Sequence, residues 1–326
     1  MSLRRALWII PDRSSTQQKK QVSAKYWELY RAAARSCGLD YAIHDPSSIV
    51  VDAIGGTQAA VFVAGEQVNP ADTLFVTDLY TLPQHIPDTF KQISAFTVLE
   101  QLGFYLPVPP QLSLIANDKL ATALYLADCP VAPIPTFRFG TGRDESIIGA
   151  ASLAALPYPV VVKPAGWGAG LGILLAEDES QVRAIASLAG GADCDLVCQP
   201  FLGAGTEDYR LYFVEGQVHT TMRRVPSPGE VVANVMRGGR AEYVDLPAGL
   251  TEAAEYLGEK LAIPFFCADF LFDGQEFHLS EIELDGLYGL DQAGRNTGLL
   301  EARFAAYVRQ HERFLGRAPS QVAAMS

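Results

Sequence analysis

A lysine at the end of an apolar strand, followed by a glycine at every second position, is the feature of this sequence best suited to chemistry. In "VVVKPAGWGAGLGILLA", Lys163 precedes Gly166, Gly168, Gly170 and Gly172. Glycines so spaced leave the backbone free to fold over a ligand and to turn N–H groups toward anionic oxygens. A second strand follows, so the loop is a flap between two strands. A Walker A loop runs Gly-Lys-Ser/Thr into a helix, a dinucleotide fingerprint opens a helix with its glycines, and a kinase places the glycine loop before the lysine strand. None of these orders is present. On this segment alone, a glycine-rich surface hairpin with a solvated lysine is the competing reading.

Carboxylates cluster further along. Glu281 and Glu283 in "LSEIELDG" are two apart on an expected strand and so project from one face, while Asp269 in "CADFLF" lies on the strand before. Together they form an oxygen set suited to a hard cation such as Mg²⁺, which also takes phosphate oxygens. The bland alternative is a solvent-facing strand. Between flap and carboxylates, "EDYRLYF" puts Asp208 and Arg210 on one strand face, and "MRRVPSPGEVVANVMRGG" offers Arg223, Arg224, Asn234 and Arg237. Planar guanidinium forks match phosphoryl and acyl-phosphate oxygens. Because strand neighbours face opposite ways, one of Arg223 and Arg224 is expected to be a surface charge.

The elements that must position these groups follow from periodicity. Strand "RALWII", helix "QVSAKYWELYRAAARSCG" and strand "DYAIHD" open an α/β domain, with further strands at "AAVFVAG" and "DTLFVTD" and a helix around "DTFKQISAFTVLEQLG". "YLPVPPQ" reads as a linker closing this domain at about residue 115. A middle segment, 116–198, begins with a helix capped by Asn117 or Asp118 and carries the flap. A third, 199–326, contains a hairpin turning at Gly216, the carboxylate strands and a final amphipathic helix.

Composition bounds the rest. The chain has 326 residues, 49% hydrophobic, and a formal charge of −12, enough for two or three domains and unsuited to nucleic acid as a partner. No apolar run reaches the ~20 residues of a membrane span, and "MSLRRALWII" reads as a first strand in place of a signal peptide. Five cysteines, odd in number and mostly in apolar segments, read as reduced buried thiols, which points to a cytoplasmic protein.

The ordered pieces "NDKL", "VVVKP" with its flap, "LVCQPFL", "DYR", "RRVPSPGEVVANVMRGG", "CADF" and "EIE" resemble the ATP-grasp superfamily, in particular the branch holding bacterial glutathione synthetases and ribosomal-protein glutamate ligases. The resemblance spans about Asn117 to Gly289. It implies an α+β ATP-grasp fold in which an N-terminal α/β domain is followed by two lobes that clasp ATP. It further implies that Lys119 and Lys163 hold phosphates under the flap, with Gly166, Gly168 and Gly170 closing over them, and that Gln199, Pro200, Phe201 and Leu202 form the adenine hinge. By the same resemblance Asp208 approaches the ribose, Arg210 belongs to the nucleotide site, and Arg224, Asn234 and Arg237 serve phosphoryl transfer. Asp269, Glu281 and Glu283 match positions for Mg²⁺ or Mn²⁺. Pro200 replaces an acid and removes an N–H, and Glu283 replaces an asparagine.

The activity implied is ligation of a small carboxylate to an amine through an acyl phosphate, on an amino acid, a short peptide or an amino-acid derivative, including intramolecular ring closure. A non-catalytic ATP-binding module and phosphoryl transfer without amide formation stay open beside it. Arg13, Tyr80, Tyr288 and Arg295 are candidates for gripping the substrate. A homodimer is compatible with the resemblance, since related ligases commonly form one.

Overall fold

A computed structural model of the chain describes residues 3–11, 24–54, 59–77, 79, 86–141, 150–168, 170–191, 194–227, 240–284 and 295–317. The chain divides into two units, one made of Met1–Leu114, Ile263–Phe265 and Leu287–Ser326, the other of Ile115–Ala262 and Phe266–Gly286.

In the first unit, strand β1 (Arg5–Ile9) lies between β2 (Asp40–His44) and β6 (Thr73–Val76), parallel to both. Parallel strands need a crossover, and helix α1 (Ala24–Ser36) lies between β1 and β2 in the chain. A sheet covered on both faces reads as continuous apolar runs, and β6 is buried at all four positions. Leu7, Ile9 and Phe75 pack with Phe96 and Leu99 of helix α2 (Ile86–Gln101). A small antiparallel sheet, β3 (Ile49–Asp52), β4 (Ala60–Val63) and β5 (Glu66–Val68), contains two short strands that periodicity did not mark. The expected linker also differs in part. Pro110 opens helix α3 (Pro110–Ala116), because a proline at the first helical position gives up only an N–H that had no partner in the helix.

The last helix, α8 (Arg295–Arg317), belongs to this unit and not to the third sequence segment. Its apolar stripe explains the difference. Phe304 meets Tyr30 and Tyr41 edge-on at 6.3 and 5.4 Å between ring centroids, and His311 Nε2 lies 2.8 Å from the Pro70 carbonyl. An amphipathic pattern shows that a helix buries one face, without showing which core receives it.

The second unit holds two sheets. One is antiparallel in order β7 (Phe137–Phe139), β10 (Leu196–Pro200), β8 (Val160–Pro164), β9 (Leu174–Ala176). Leu153 of helix α5 (Ala150–Ala154) and Val182 and Ala186 of helix α6 (Glu179–Gly190) pack against it, and Cys194 and Cys198 lie in the same core, where burial pushes the Cys198 thiol up to about 12. The other sheet has the order β13 (Arg240–Val244), β12 (Gln217–Val225), β11 (Glu207–Val214), β14 (Phe265–Phe272), β15 (Phe277–Glu283). The Ile134 N–H donates to the Leu279 carbonyl and the Leu279 N–H donates to the Ala132 carbonyl, at 3.0 Å each, fastening the segment that leads into β7 to β15. The expected boundary at residue 198 therefore runs inside one unit.

The β11–β12 hairpin turns at Glu215 and Gly216, both at positive φ (48° and 80°), the conformation of a two-residue hairpin turn. Here helix α7 (Thr251–Leu261) comes so close that a Cβ on Gly258 would stand 2.0 Å from the Gly216 carbonyl oxygen. Gly258→Ala is expected to cost about 3 kcal/mol or more, since the helix must lift from the hairpin to admit one methyl group. A urea unfolding curve with an unchanged midpoint would show that this contact is loose.

Candidate functional site

The flap is built as the glycine spacing suggests. β8 and β9 pair antiparallel, with Val162 opposite Leu174, and the loop between them turns through Leu171 N–H donating to the Gly168 carbonyl at 3.2 Å. Gly170 and Gly172 take φ of 70° and 68°, values that side-chain-bearing residues rarely adopt. A Cβ on Gly172 would stand 2.9 Å from the Pro164 ring. This glycine is therefore required by both conformation and space.

Two lysines meet below the flap. Lys163 is the fourth residue of β8 and is buried. Lys119 opens helix α4 (Lys119–Tyr125), which Asp118 caps by accepting from the Leu120 and Ala121 amides at 3.0 and 2.9 Å. The Lys119 ammonium donates to the flap carbonyl of Trp167 at 2.5 Å and to that of Ala165 at 3.5 Å, and stands 3.6 Å from Glu281. Burial first, and the Lys119 charge second, lower the Lys163 pKa to about 8. Glu281, Asp208 and Asp269 act in the opposite sense on Lys163, and a bound anion would raise it further.

The carboxylates converge as the i, i+2 spacing implies. Asp269 stands opposite Glu281 and Cys267 opposite Glu283. The register then shifts to Phe270 opposite Leu279, leaving Ser280 as the extra residue of a bulge. Through that bulge Leu279 and Ile282 both reach the core, while Asp269, Glu281 and Glu283 offer oxygens lying within 4.8 Å of one another.

Arginines fill the space among them. Arg210 binds Asp269 in fork-to-fork geometry, Nε to Oδ1 at 2.7 Å and Nη2 to Oδ2 at 2.6 Å, and its Nη1 reaches Glu283 at 2.8 Å. Arg224 donates to Asp269 at 2.8 Å and to Asp208 at 2.7 Å. Its neighbour Arg223 points the other way, to Glu207 and Glu242, so Arg223 is the surface charge of the pair. Burial works against ionisation of Asp269, yet Arg210 and Arg224 overcome it and hold the carboxyl at about 2. Asp208 is pushed up to about 6, because burial and the Asp269 charge outweigh its contact with Arg224. Asp208 Oδ1 and Arg224 Nε are buried without a hydrogen-bond partner among the described residues. Such orphaned groups are costly, which marks the site as built for something further.

At the hinge, Gln199 is buried and its Nε2 donates to Thr136 Oγ1 at 2.9 Å. Pro200 stands opposite Val160, and the Phe201 N–H is taken by the Pro159 carbonyl at 3.1 Å, with Leu202 following. Two of the hinge's backbone donors are thus spent or missing. Asn234, Arg237, Arg13, Tyr80 and Tyr288 lie outside the described residues, as does the side chain of Arg295. Sequence reasoning did not foresee the pairing of each carboxylate with a cation, nor the tie from Lys119 to the flap, since neither contact has a spacing of its own.

The chain is similar in sequence or in fold to proteins already known. The chain is 32% identical over 149 residues to a D-alanine–D-alanine ligase of Streptococcus equi subsp. zooepidemicus (strain H70), which covers 44% of this chain and 41% of that one. It is 32% identical over 143 residues to a probable alpha-L-glutamate ligase of Xylella fastidiosa (strain M12), covering 44% and 46%. The chain thus spans less than half the length of these two relatives. A solved D-alanine–D-alanine ligase from Bacillus anthracis complexed with ATP superposes with a TM-score of 0.63 at 17% identity, over 95% of this chain and 99% of that one, a likeness of fold. Residues 116–303 match the RimK-like ATP-grasp domain, more than half of the 326 residues, and the chain belongs to that ATP-grasp family.

Proposed function

We propose that this chain is an ATP-dependent carboxylate–amine ligase acting on an amino acid, a short peptide or an amino-acid derivative. The observation that carries the reading is the pairing of two buried lysines beneath a glycine flap with three carboxylates whose oxygens lie within 4.8 Å. Lysines and flap amides suit the triphosphate, and an all-oxygen set suits Mg²⁺ or Mn²⁺. Asp269, Glu281 and Glu283 would hold the metal, and when bound it would draw negative charge from the phosphate oxygens. Relatives named as ligases of D-alanine and of glutamate support the substrate class.

In the first step a substrate carboxylate oxygen bonds to the γ-phosphorus, the bond to the β-phosphate oxygen breaks, and ADP leaves. An amine then attacks the acyl carbon, phosphate departs and the amine loses a proton. Phosphorylation is what turns a poor electrophile into one with a leaving group. Lys119, Lys163, Arg210 and Arg224 supply charge for the phosphoryl group in transfer, with Asn234 and Arg237 assigned to the same centre. Gln199, Pro200, Phe201 and Leu202 are assigned to the adenine, Gly166, Gly168 and Gly170 to the phosphates, and Asp208, paired with Arg224 at 2.7 Å, to the ribose side. No helix among the described residues is long and apolar enough to cross a membrane. Four cysteines are buried and all five are free, which favours a reducing, cytoplasmic setting.

The test is to incubate the protein with ATP, Mg²⁺ and pooled amino acids and short peptides. ADP and phosphate released only with substrate support the ligase. Silence points to a binding module, and ADP with a stable phosphorylated product points to phosphoryl transfer alone.

Lys163 supplies a pH signature. Its pKa of about 8 lies below the value it would take beside phosphate, so binding is expected to take up about half a proton near pH 8 and about a tenth near pH 7. Affinity then weakens as pH rises through about 8. Calorimetry with an ATP analogue in buffers of different ionisation enthalpy checks this, and equal heats in all buffers at pH about 8 would remove Lys163 from the phosphate contact.

A further inference from the structure

The three carboxylates assigned to the metal are already occupied by cations of the protein itself. Arg210 spans two of them, with Nε and Nη2 on Asp269 and Nη1 on Glu283, all within 2.8 Å. Lys119 stands 3.6 Å from the third, Glu281. Arg224 adds a second cation to Asp269 and links it to Asp208. Among the described residues, four cationic side chains (Lys119, Lys163, Arg210, Arg224) thus face four acids (Asp208, Asp269, Glu281, Glu283). The site balances its own charge.

We propose that Arg210 is a resident counter-cation standing in the metal's place, so that divalent cation and nucleotide load together and neither loads well alone. This rests on assigning Asp269, Glu281 and Glu283 to the metal. A divalent cation arriving alone must share buried Asp269 and half-buried Glu283 with a guanidinium that lies as close as hydrogen bonding allows. Arg210 cannot leave by losing its proton, since arginine stays charged. Nor can its backbone retreat, because β11 is paired along its length with β12 and lies beside β14. Only the side chain can turn away, and a buried cation that turns away needs another anion. The triphosphate supplies it, and as Arg210, Arg224 and Lys119 move to phosphate the carboxylates become free for metal. Nucleotide arriving alone meets the converse penalty, because its charge adds to four acids whose cations it has drawn off. Each ligand thereby removes the obstacle to the other, which is positive coupling with a named exchange of partners.

The experiment measures Mn²⁺ binding to the full chain by the electron paramagnetic resonance signal of free Mn²⁺, with and without a non-hydrolysable ATP analogue, each signal referred to the same solution without protein because the analogue itself chelates Mn²⁺. For the parent, Mn²⁺ alone is expected to bind at least about tenfold more weakly than with the analogue. Arg210→Gln should behave in the opposite way to an ordinary loss of a site residue. It is expected to bind Mn²⁺ alone at least about tenfold more tightly than the parent, with the coupling to nucleotide reduced. Arg210→Lys keeps a charge and should stay nearer the parent. Mn²⁺ affinity in Arg210→Gln equal to or below that of the parent, with circular dichroism unchanged, would overturn the proposal. So would a parent that binds Mn²⁺ equally with and without the analogue, a result independent of whether any variant folds. If Mn²⁺ and analogue fail to bind the parent even together, the nucleotide-site reading falls as well, and the two failures are thereby told apart.

Discussion

Asp269→Ala is expected to eliminate ATP turnover and to lower the free energy of unfolding by about 3–5 kcal/mol, the cost of stranding buried partners of an ion pair. The size of the effect follows from what the carboxylate holds. Asp269 is almost fully buried and accepts from Arg210 through both oxygens and from Arg224 through one. Removing it leaves two guanidinium groups inside the second unit with, among the described residues, only Asp208 and Glu283 paired to them. Asp269→Asn keeps the shape and part of the hydrogen bonding, so it should fold with a smaller loss and still fail to turn over ATP. Urea unfolding combined with ADP release checks both variants. Wild-type turnover in Asp269→Asn would show that the charge has no part in the reaction.

Glu283→Lys is expected to abolish turnover as well, by a different route. It places an ammonium where a carboxylate lies 2.8 Å from Arg210, so two cations meet in a buried site and the metal set loses one member. Glu283→Asn should keep measurable activity, because an amide oxygen can still ligate. Its Mg²⁺ midpoint should rise about tenfold, the weakening expected when a charged ligand oxygen becomes a neutral one. A Mg²⁺ titration of ADP release for parent and both variants decides the matter. Should Glu283→Lys turn over ATP with an unchanged Mg²⁺ midpoint, the metal site is built without residue 283.

Much of this arrangement is legible in the sequence because its signals are local. Lys163 ahead of alternating glycines, and Glu281 with Glu283 at strand spacing, need only a period of two to be placed on one face. Other features have no local signal. Nothing near Ser280 announces the bulge that sends Leu279 and Ile282 to the core together, because a bulge depends on the partner strand. The choice between Arg223 and Arg224 depends on the register with β11, which sets Arg224 opposite Asp208. The α8 helix shows its apolar stripe plainly, yet its receiving core of Tyr30 and Tyr41 lies more than 250 residues away in the chain. Charge partners such as Arg210 and Asp269, 59 residues apart, are matched by the fold alone.

The most direct test of the ligase reading follows oxygen. In the two-step reaction the attacking carboxylate oxygen becomes the bridge of the acyl phosphate and leaves with phosphate when the amine displaces it. ATP and Mg²⁺ are supplied with the pooled amino acids and short peptides labelled with ¹⁸O in their carboxylates, and the inorganic phosphate is analysed by mass spectrometry. Phosphate carrying one ¹⁸O per turnover is the expected result. Phosphate without ¹⁸O, released while substrate is consumed, would contradict carboxylate activation at this site.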